Sequence, residues 1–288
     1  MKGSWRVRVE APVELEDELA GRLWVAGSVG SWSEPAAAGR VRLNAFFERD
    51  GGVPPELGEA LAAFGPGVEL LGAEAAPDRD WLAGWRAGAA PIEVGARFLV
   101  DPREPQEAPD PVDHPGERIL LRLPARTAFG VGSHESTRLA VELLERQEVT
   151  GLRVLDVGAG TGILAFAARH LGAREVVACD LDPAAALLLP QFMQLNGLRV
   201  AAFCGSLGAL SARARRFDLA LVNVIPAEIE PDLPALAEVL RPGAVALFSG
   251  ILSAAAEESL ARLAAFGFRE TARRTAGEWI AFATECAP

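Results

Sequence analysis

Apolar and polar residues alternate along Trp5-Arg-Val-Arg-Val-Glu10, the period-two pattern of a half-buried strand. Leu15, Leu19, Leu23 and Trp24 then recur at helical spacing, with Glu14, Glu16, Asp17 and Glu18 near the start, where the helix dipole favours acids. Val29 to Ser33 and Arg40 to Phe47 predict two further strands. Pro54-Pro55 opens a second helix through Phe64, Gly65-Pro-Gly67 ends it, and Val68 to Ala73 supplies a last strand. The order β-α-β-β-α-β over residues 1–76 predicts a small ferredoxin-like α+β domain.

The pattern changes after that point. Asp80-Trp-Leu-Ala-Gly-Trp-Arg86 puts Trp81 and Trp85 on one helical face, and Ile92 to Val100 reads as a single strand. Residues 77–100 are therefore expected to form a linker helix and a connecting strand, with the hinge just before the tryptophans. The stretch from Asp101 to Gly116 is rich in proline and acid and predicts an exposed loop.

From Arg118 short apolar runs recur: Ile119 to Leu123, then 153–157, 175–179, 199–203, 217–223 and 244–249, with helical segments between them. This alternation predicts an α/β domain over 101–288, with a mostly parallel sheet covered on both faces by helices. Phe268 to Ala283, with Gly277 between two strand-like runs, predicts a terminal hairpin.

Composition narrows the function classes. Half of the 288 residues are apolar, no apolar run is long enough to span a bilayer, and Met1-Lys-Gly-Ser-Trp-Arg-Val-Arg8 lacks a signal-peptide core, so no membrane association is expected. Cys179, Cys204 and Cys286 are odd in number and have no C-x-x-C spacing, which argues against a disulfide framework or a zinc cluster and fits a reducing cytoplasm. Of the net charge of −11, residues 1–90 carry −5, residues 91–117 carry −5 and the rest −1. Such a surface repels a phosphate backbone and suits a basic partner.

Candidate chemistry concentrates in Val154-Leu-Asp-Val-Gly-Ala-Gly-Thr-Gly-Ile-Leu164, followed by Val176-Val-Ala-Cys-Asp-Leu-Asp182. The order is strand, glycine turn, helix, strand, acidic tip. Gly158, Gly160 and Gly162 permit a tight turn and close approach to a ligand. Asp180 falls at the next strand tip, where its carboxylate can accept both hydroxyls of a ribose. Two ligand readings compete. The dinucleotide fingerprint needs G-x-G-x-x-G, whereas here the spacing is G-x-G-x-G, with Ile163 where its third glycine would fall. That spacing, with Asp156 two places ahead, resembles the first motif of S-adenosylmethionine-dependent methyltransferases, whose ligand brings a ribose and an amino acid but no pyrophosphate. A glycine turn with no ligand is the plain alternative.

Two further stretches add polar groups. Phe217-Asp-Leu-Ala-Leu-Val-Asn223 is a strand ending on a carboxamide, which can accept from a substrate amine and aim its lone pair for in-line displacement. An asparagine that merely caps a loop is the commoner role. Phe129-Gly-Val-Gly-Ser-His-Glu-Ser-Thr137 leads into an amphipathic helix, and Thr137 could close over a ligand from its start. No acid is placed to orient His134, which reads as positioning or structural, and neither His114 nor His170 completes a triad or metal site. No side chain is an obvious general base.

Several motifs together carry a family resemblance: Asp80-Trp81 with Trp85, Val94-Gly95-x-Arg97-Phe98, Ala128-Phe-Gly-x-Gly-x-His134-x-x-Thr137, the Leu155–Leu164 turn, Asp180-Leu-Asp-Pro183, Asn196-Gly197, Asn223, and Ser249-Gly-Ile-Leu252. In this order, over residues 80–252, the chain resembles the bacterial methyltransferases of ribosomal protein L-eleven (L11), which use S-adenosylmethionine. The resemblance implies a Rossmann-like class I methyltransferase domain behind a ferredoxin-like substrate-recognition domain. It also implies cofactor contacts at Thr137, Gly158, Asp180 and Asn223, with Gly160 in the same turn. The implied reaction is methyl transfer to lysine ε-amino or N-terminal α-amino groups of L11, by a monomer with no need for direct nucleic-acid contact. Val131, Ser133, Glu135, Phe192 and Arg103 depart from the family's usual residues.

Overall fold

The structure is a computed structural model and describes residues 3–28, 30–37, 39–49, 57–62, 64–75, 90–106, 116–125, 132–210 and 217–287. The tryptophans at 81 and 85, His114, most of the proline-acid stretch, and Phe129 lie outside the described residues. The chain divides into two compact units, Met1–Gly84 with Arg126–Ala128, and Trp85–Ala125 with Phe129–Pro288.

In the first unit the alternating segments become β1 (Gly3–Pro12), β2 (Gly30–Pro35), β3 (Arg40–Arg49) and β4 (Glu69–Ala75), with α1 (Glu16–Val25) and α2 (Leu57–Ala62) between them. All pairings are antiparallel, in the order β2-β3-β1-β4. Strand periodicity puts Val7, Val9 and Ala11 on the same face as Val41, Leu43, Ala45 and Phe47, and these bury against Leu19, Leu23, Leu57 and Leu61. This is the ferredoxin-like arrangement that the βαββαβ order predicts.

The second unit begins differently from the sequence expectation. Ile92 to Val100 is not one strand but two, β5 (Ile92–Val94) and β6 (Phe98–Asp101), paired antiparallel as a hairpin. Gly95 takes a left-handed φ of 61°, and both carboxylate oxygens of Glu145 accept from the turn, from the N–H groups of Ala96 and Arg97 at 2.8 Å each. Strand β7 (Ile119–Arg122) adds parallel to β6. Asp101, expected in the exposed loop, is instead the buried end of β6 and pairs with Arg103, whose Nε donates at 2.8 Å.

The main sheet has seven strands in the order β10-β9-β8-β11-β12-β14-β13. They are β8 (Arg153–Val157), β9 (Glu175–Asp180), β10 (Ala201–Cys204), β11 (Phe217–Asn223), β12 (Leu240–Leu252), β13 (Phe268–Ala276) and β14 (Trp279–Cys286). Strands β10, β9, β8, β11 and β12 are mutually parallel, while β14 runs antiparallel to β12 and closes the terminal hairpin with β13. The parallel strands are apolar runs because both faces are covered, as parallel sheets require. One face packs α3 (Glu135–Leu144), α4 (Ile163–His170) and α5 (Pro183–Asn196). The other packs α6 (Pro226–Ile229), α7 (Leu233–Val239) and α8 (Ala256–Ala265). This is the α/β architecture, mostly parallel, that the alternation predicts. Among the described residues, no helix is long and apolar enough to cross a membrane.

Helix α5 shows how sequence fixes its ends. The Asp182 carboxylate caps it by accepting from the Ala184 N–H at 2.8 Å, Pro183 stands at N1, and Gly197 closes it with φ 62°. Asn196 fastens that end to β7: its Nδ2 donates to the Arg122 carbonyl and its Oδ1 accepts from the Arg122 N–H. Phe192 is fully buried in the core beneath.

Candidate functional site

Three adjacent parallel strands, β9, β8 and β11, deliver Asp180, the glycine turn and Asn223 to the carboxyl edge of the sheet. That edge is where ligands bind on open α/β sheets. Strand direction and register therefore gather residues that lie 65 positions apart in the chain, from Gly158 to Asn223.

The turn leaves β8 at Gly158, whose N–H donates to the Cys179 carbonyl at 2.9 Å, with the Ala159 N–H donating to the same oxygen at 3.1 Å. Gly158 has φ 68°, and a Cβ built there would lie 2.3 Å from Val224 Cγ1. Glycine is needed here as much for that packing as for the turn. Gly158→Ala is expected to destabilise the fold by about 1–3 kcal/mol, through left-handed strain and displacement of Val224. Urea unfolding would show it as a lower midpoint at unchanged slope. Gly160 differs: a Cβ there would meet nothing within 4 Å, so the space above the turn stays open.

Asp180 organises this turn from the neighbouring strand. Its Oδ2 accepts from the Gly160 N–H at 2.7 Å and its Oδ1 from the Asp182 N–H at 2.9 Å. Each carboxylate oxygen has two acceptor sites, so one on each remains for a ligand hydroxyl. The turn and the acidic tip, expected at the same edge of the sheet, are joined by a direct hydrogen bond.

Asp156, two residues before the turn, is 1 % exposed, and its Oδ2 accepts from the Ala165 N–H in the first turn of α4 at 2.9 Å. Burial, reinforced by the charge of Asp180 and only partly offset by that hydrogen bond, pushes its carboxyl up to about 7. The folded chain then holds a proton, between about pH 4 and 7, that the unfolded chain releases, so this group's contribution to stability falls as pH rises through that window. Asp156→Asn removes the titration. Its unfolding free energy should rise relative to the parent across the window, by at most about 1.4 kcal/mol per pH unit, and the difference should level off above it. Urea titrations of both proteins at a series of pH values would reveal a flat difference if the group were ionised throughout. Burial likewise pushes the neighbouring Cys179 thiol up to about 12, so it stays protonated and unreactive.

Across the turn, α3 begins at a cap that sequence reasoning left open. His134 is the N-cap: its Nδ1 accepts from the Ser136 N–H at 3.2 Å and lies 2.7 Å from Ser136 Oγ. Its ring meets Trp279 edge-on at 4.6 Å between centroids. His134 thus caps the start of α3 and packs its ring on Trp279. Thr137, 3 % exposed in the first helical turn, presents Oγ1 to Asn223, whose Nδ2 donates to it at 3.3 Å.

That contact engages one end of the Asn223 carboxamide. With Nδ2 engaged by Thr137, Oδ1 is buried and has no hydrogen-bond partner among the described residues. A buried carbonyl oxygen without a donor costs about 1–3 kcal/mol, so an orphan of this kind marks a place for a donor from elsewhere. The described site thus offers two sets of acceptors: the Asp180 carboxylate beside the open turn, and the Asn223 carbonyl beside Thr137. Sequence reasoning missed Val224, which wedges against Gly158, and gave no role to Ser249, whose hydroxyl reaches the start of α3. The Asp182-Pro183 cap was readable from its residue types.

Known proteins resemble the chain over most of its length. The family model described as ribosomal protein L11 methyltransferase (PrmA) matches residues 26–286. A ribosomal protein L11 methyltransferase of Synechococcus elongatus is 32 % identical over 299 residues, which cover 99 % of this chain and 97 % of that protein. The one from Synechococcus sp. (strain RCC307) is 35 % identical over 297 residues, covering 98 % and 96 %. Among solved structures, the ribosomal protein L11 methylase of Lactobacillus delbrueckii subsp. bulgaricus superposes with a TM-score of 0.61 at 30 % identity, covering 69 % of this chain and all of that one. The match runs through both the turn and the strand tips, and the chain belongs to the ribosomal protein L11 methyltransferase family.

Proposed function

We propose that this protein transfers methyl groups from S-adenosylmethionine to lysine ε-amino and N-terminal α-amino groups of ribosomal protein L11. The observation that carries the reading is the Asn223 carboxamide, held by Thr137 so that a buried, partnerless Oδ1 is left for a donor. A substrate amine is such a donor.

The residues present fit the cofactor. Gly160 leaves open space beside the turn for the adenosyl group, Asp180 keeps two acceptor sites for ribose hydroxyls, and Thr137 and Asn223 flank the amino-acid end. S-adenosylmethionine supplies an electrophilic methyl on a sulfonium sulfur. The chain's own contribution is positioning: Asn223 Oδ1 takes one N–H of the acceptor amine and so directs the nitrogen lone pair. The Thr137 hydroxyl keeps the carboxamide from rotating. No described side chain beside Asn223 is suited to act as a base, so water takes the ammonium proton before attack.

In this reading the antiparallel unit at the front grips the substrate, and its acidity suits a basic ribosomal protein. The net charge of −11 argues against reliance on direct nucleic-acid contact. We take the acting form to be a cytoplasmic monomer. Incubation with methyl-labelled cofactor and total purified ribosomal proteins should label the L11 band. Label confined to other bands, or absent, would refute the assignment of substrate.

A further inference from the structure

The Ser249-Gly-Ile-Leu252 motif is not used by any step above, yet it pairs with Asn223 and bonds to the residue before Thr137. Strand β12 pairs in parallel with β11, and Ser249 is the register partner of Asn223. Ser249 is 2 % exposed, and its hydroxyl donates to the Ser136 carbonyl at 2.7 Å, across 113 residues of sequence. A strand serine can satisfy its hydroxyl within its own sheet; this one reaches instead to the first turn of α3. Ser136 adjoins Thr137, and Thr137 Oγ1 accepts from Asn223. The contacts close a ring: Asn223 to Ser249 through the sheet, Ser249 to Ser136 through the hydroxyl, and Thr137 back to Asn223.

Gly250 provides a second arm. It has φ 82°, and a Cβ there would stand 2.9 Å from the Val224 carbonyl oxygen and 3.0 Å from its carbon. Only glycine lets the backbone just after Asn223 lie so close to β12. Val224 in turn fills the space in front of Gly158. The dipeptide therefore touches the start of α3 on one side and the chain after Asn223 on the other.

We infer that Ser249 and Gly250 are positioning residues for methyl transfer, holding Thr137 and Asn223 in register so that the Asn223 carbonyl faces the acceptor amine. The inference rests on the roles proposed for those two residues. Neither Ser249 nor Gly250 touches substrate. Their effect is on geometry, where small misplacements cost far more rate than stability.

The test compares the full-length protein with Ser249→Ala, Ser249→Thr and Gly250→Ala. Ser249→Ala should lower kcat about tenfold with KM for L11 within about twofold, and Ser249→Thr, which keeps the hydroxyl, should restore it. Gly250→Ala should lower kcat at least as far, because its Cβ displaces Val224. Hydrogen exchange supplies a readout that needs no substrate. The Thr137 and Arg138 amides, which both donate to the His134 carbonyl, should exchange faster in Ser249→Ala and recover in Ser249→Thr. Parent-like kcat and parent-like exchange in Ser249→Ala would overturn the inference, as would a folded Ser249→Thr that stays as slow as the alanine variant. If the parent protein itself methylates no L11, the function proposed above fails, while the exchange measurement still decides whether the link exists.

Discussion

Asn223→Ala is expected to lower kcat by about 10²- to 10³-fold while leaving the protein folded and still able to bind S-adenosylmethionine. The carboxamide makes one hydrogen bond within the described residues, to Thr137 at 3.3 Å, and carries one buried oxygen with no partner. Its removal therefore takes little from the stability of the ligand-free protein. What is lost is the group that fixes the direction of the amine lone pair, together with the exclusion of competing amine orientations. The cofactor also contacts this residue in the proposed site, so its affinity should weaken, but only by the several-fold worth of one neutral hydrogen bond. Single-turnover transfer of labelled methyl at saturating cofactor separates the two effects. A variant with near-parent kcat would remove Asn223 from the mechanism.

The second large effect falls on binding. Asp180→Ala removes a carboxylate that accepts from Gly160 and Asp182 and that is proposed to accept two ribose hydroxyls. Hydrogen bonds to a charged acceptor are worth about 1.5–3 kcal/mol each, and the vacated turn also loses the anchor of Gly160. The Kd for S-adenosylmethionine should rise about 10²- to 10⁴-fold, whereas Asp180→Asn, which keeps one carbonyl acceptor, should fall between. Calorimetry measures both directly. At saturating cofactor kcat should change far less than Kd, because Asp180 lies on β9, away from the residues that aim the acceptor. Unchanged affinity in Asp180→Ala would mean that the adenosyl group is held elsewhere.

The parallel core of the larger unit was legible because buried strands are short apolar runs that nothing else in the sequence imitates at that spacing. The antiparallel unit was legible for a different reason, the strict alternation along β1 and β3. The hairpin of β5 and β6 was not, because its turn is held by Glu145, some 50 residues further along, and a tertiary acceptor leaves no local mark. Strand β12 extends from Leu240, beyond the expected 244–249, because its pairing with β11 and β14 continues past the apolar run. At the site, strand tips could be placed from sequence, since direction and spacing alone bring Asp180, Gly158 and Asn223 to one edge. The hydrogen bond from Asn223 to Thr137, the Val224 wedge and the Ser249 link could not, because each depends on contacts between distant segments. His134 as a helix cap escaped for a further reason: histidine is not among the residue types that favour that position.

The central claim is that this site places methyl groups on the amino groups of one ribosomal protein. Intact-mass spectrometry of purified L11, incubated with the protein and S-adenosylmethionine, tests it most directly, with peptide mapping to locate the product. The expected product carries successive single-methyl increments confined to lysine ε-amino and N-terminal α-amino groups, formed about 10²- to 10³-fold more slowly with Asn223→Ala. An L11 mass that never changes, under conditions where the protein binds cofactor, would contradict it.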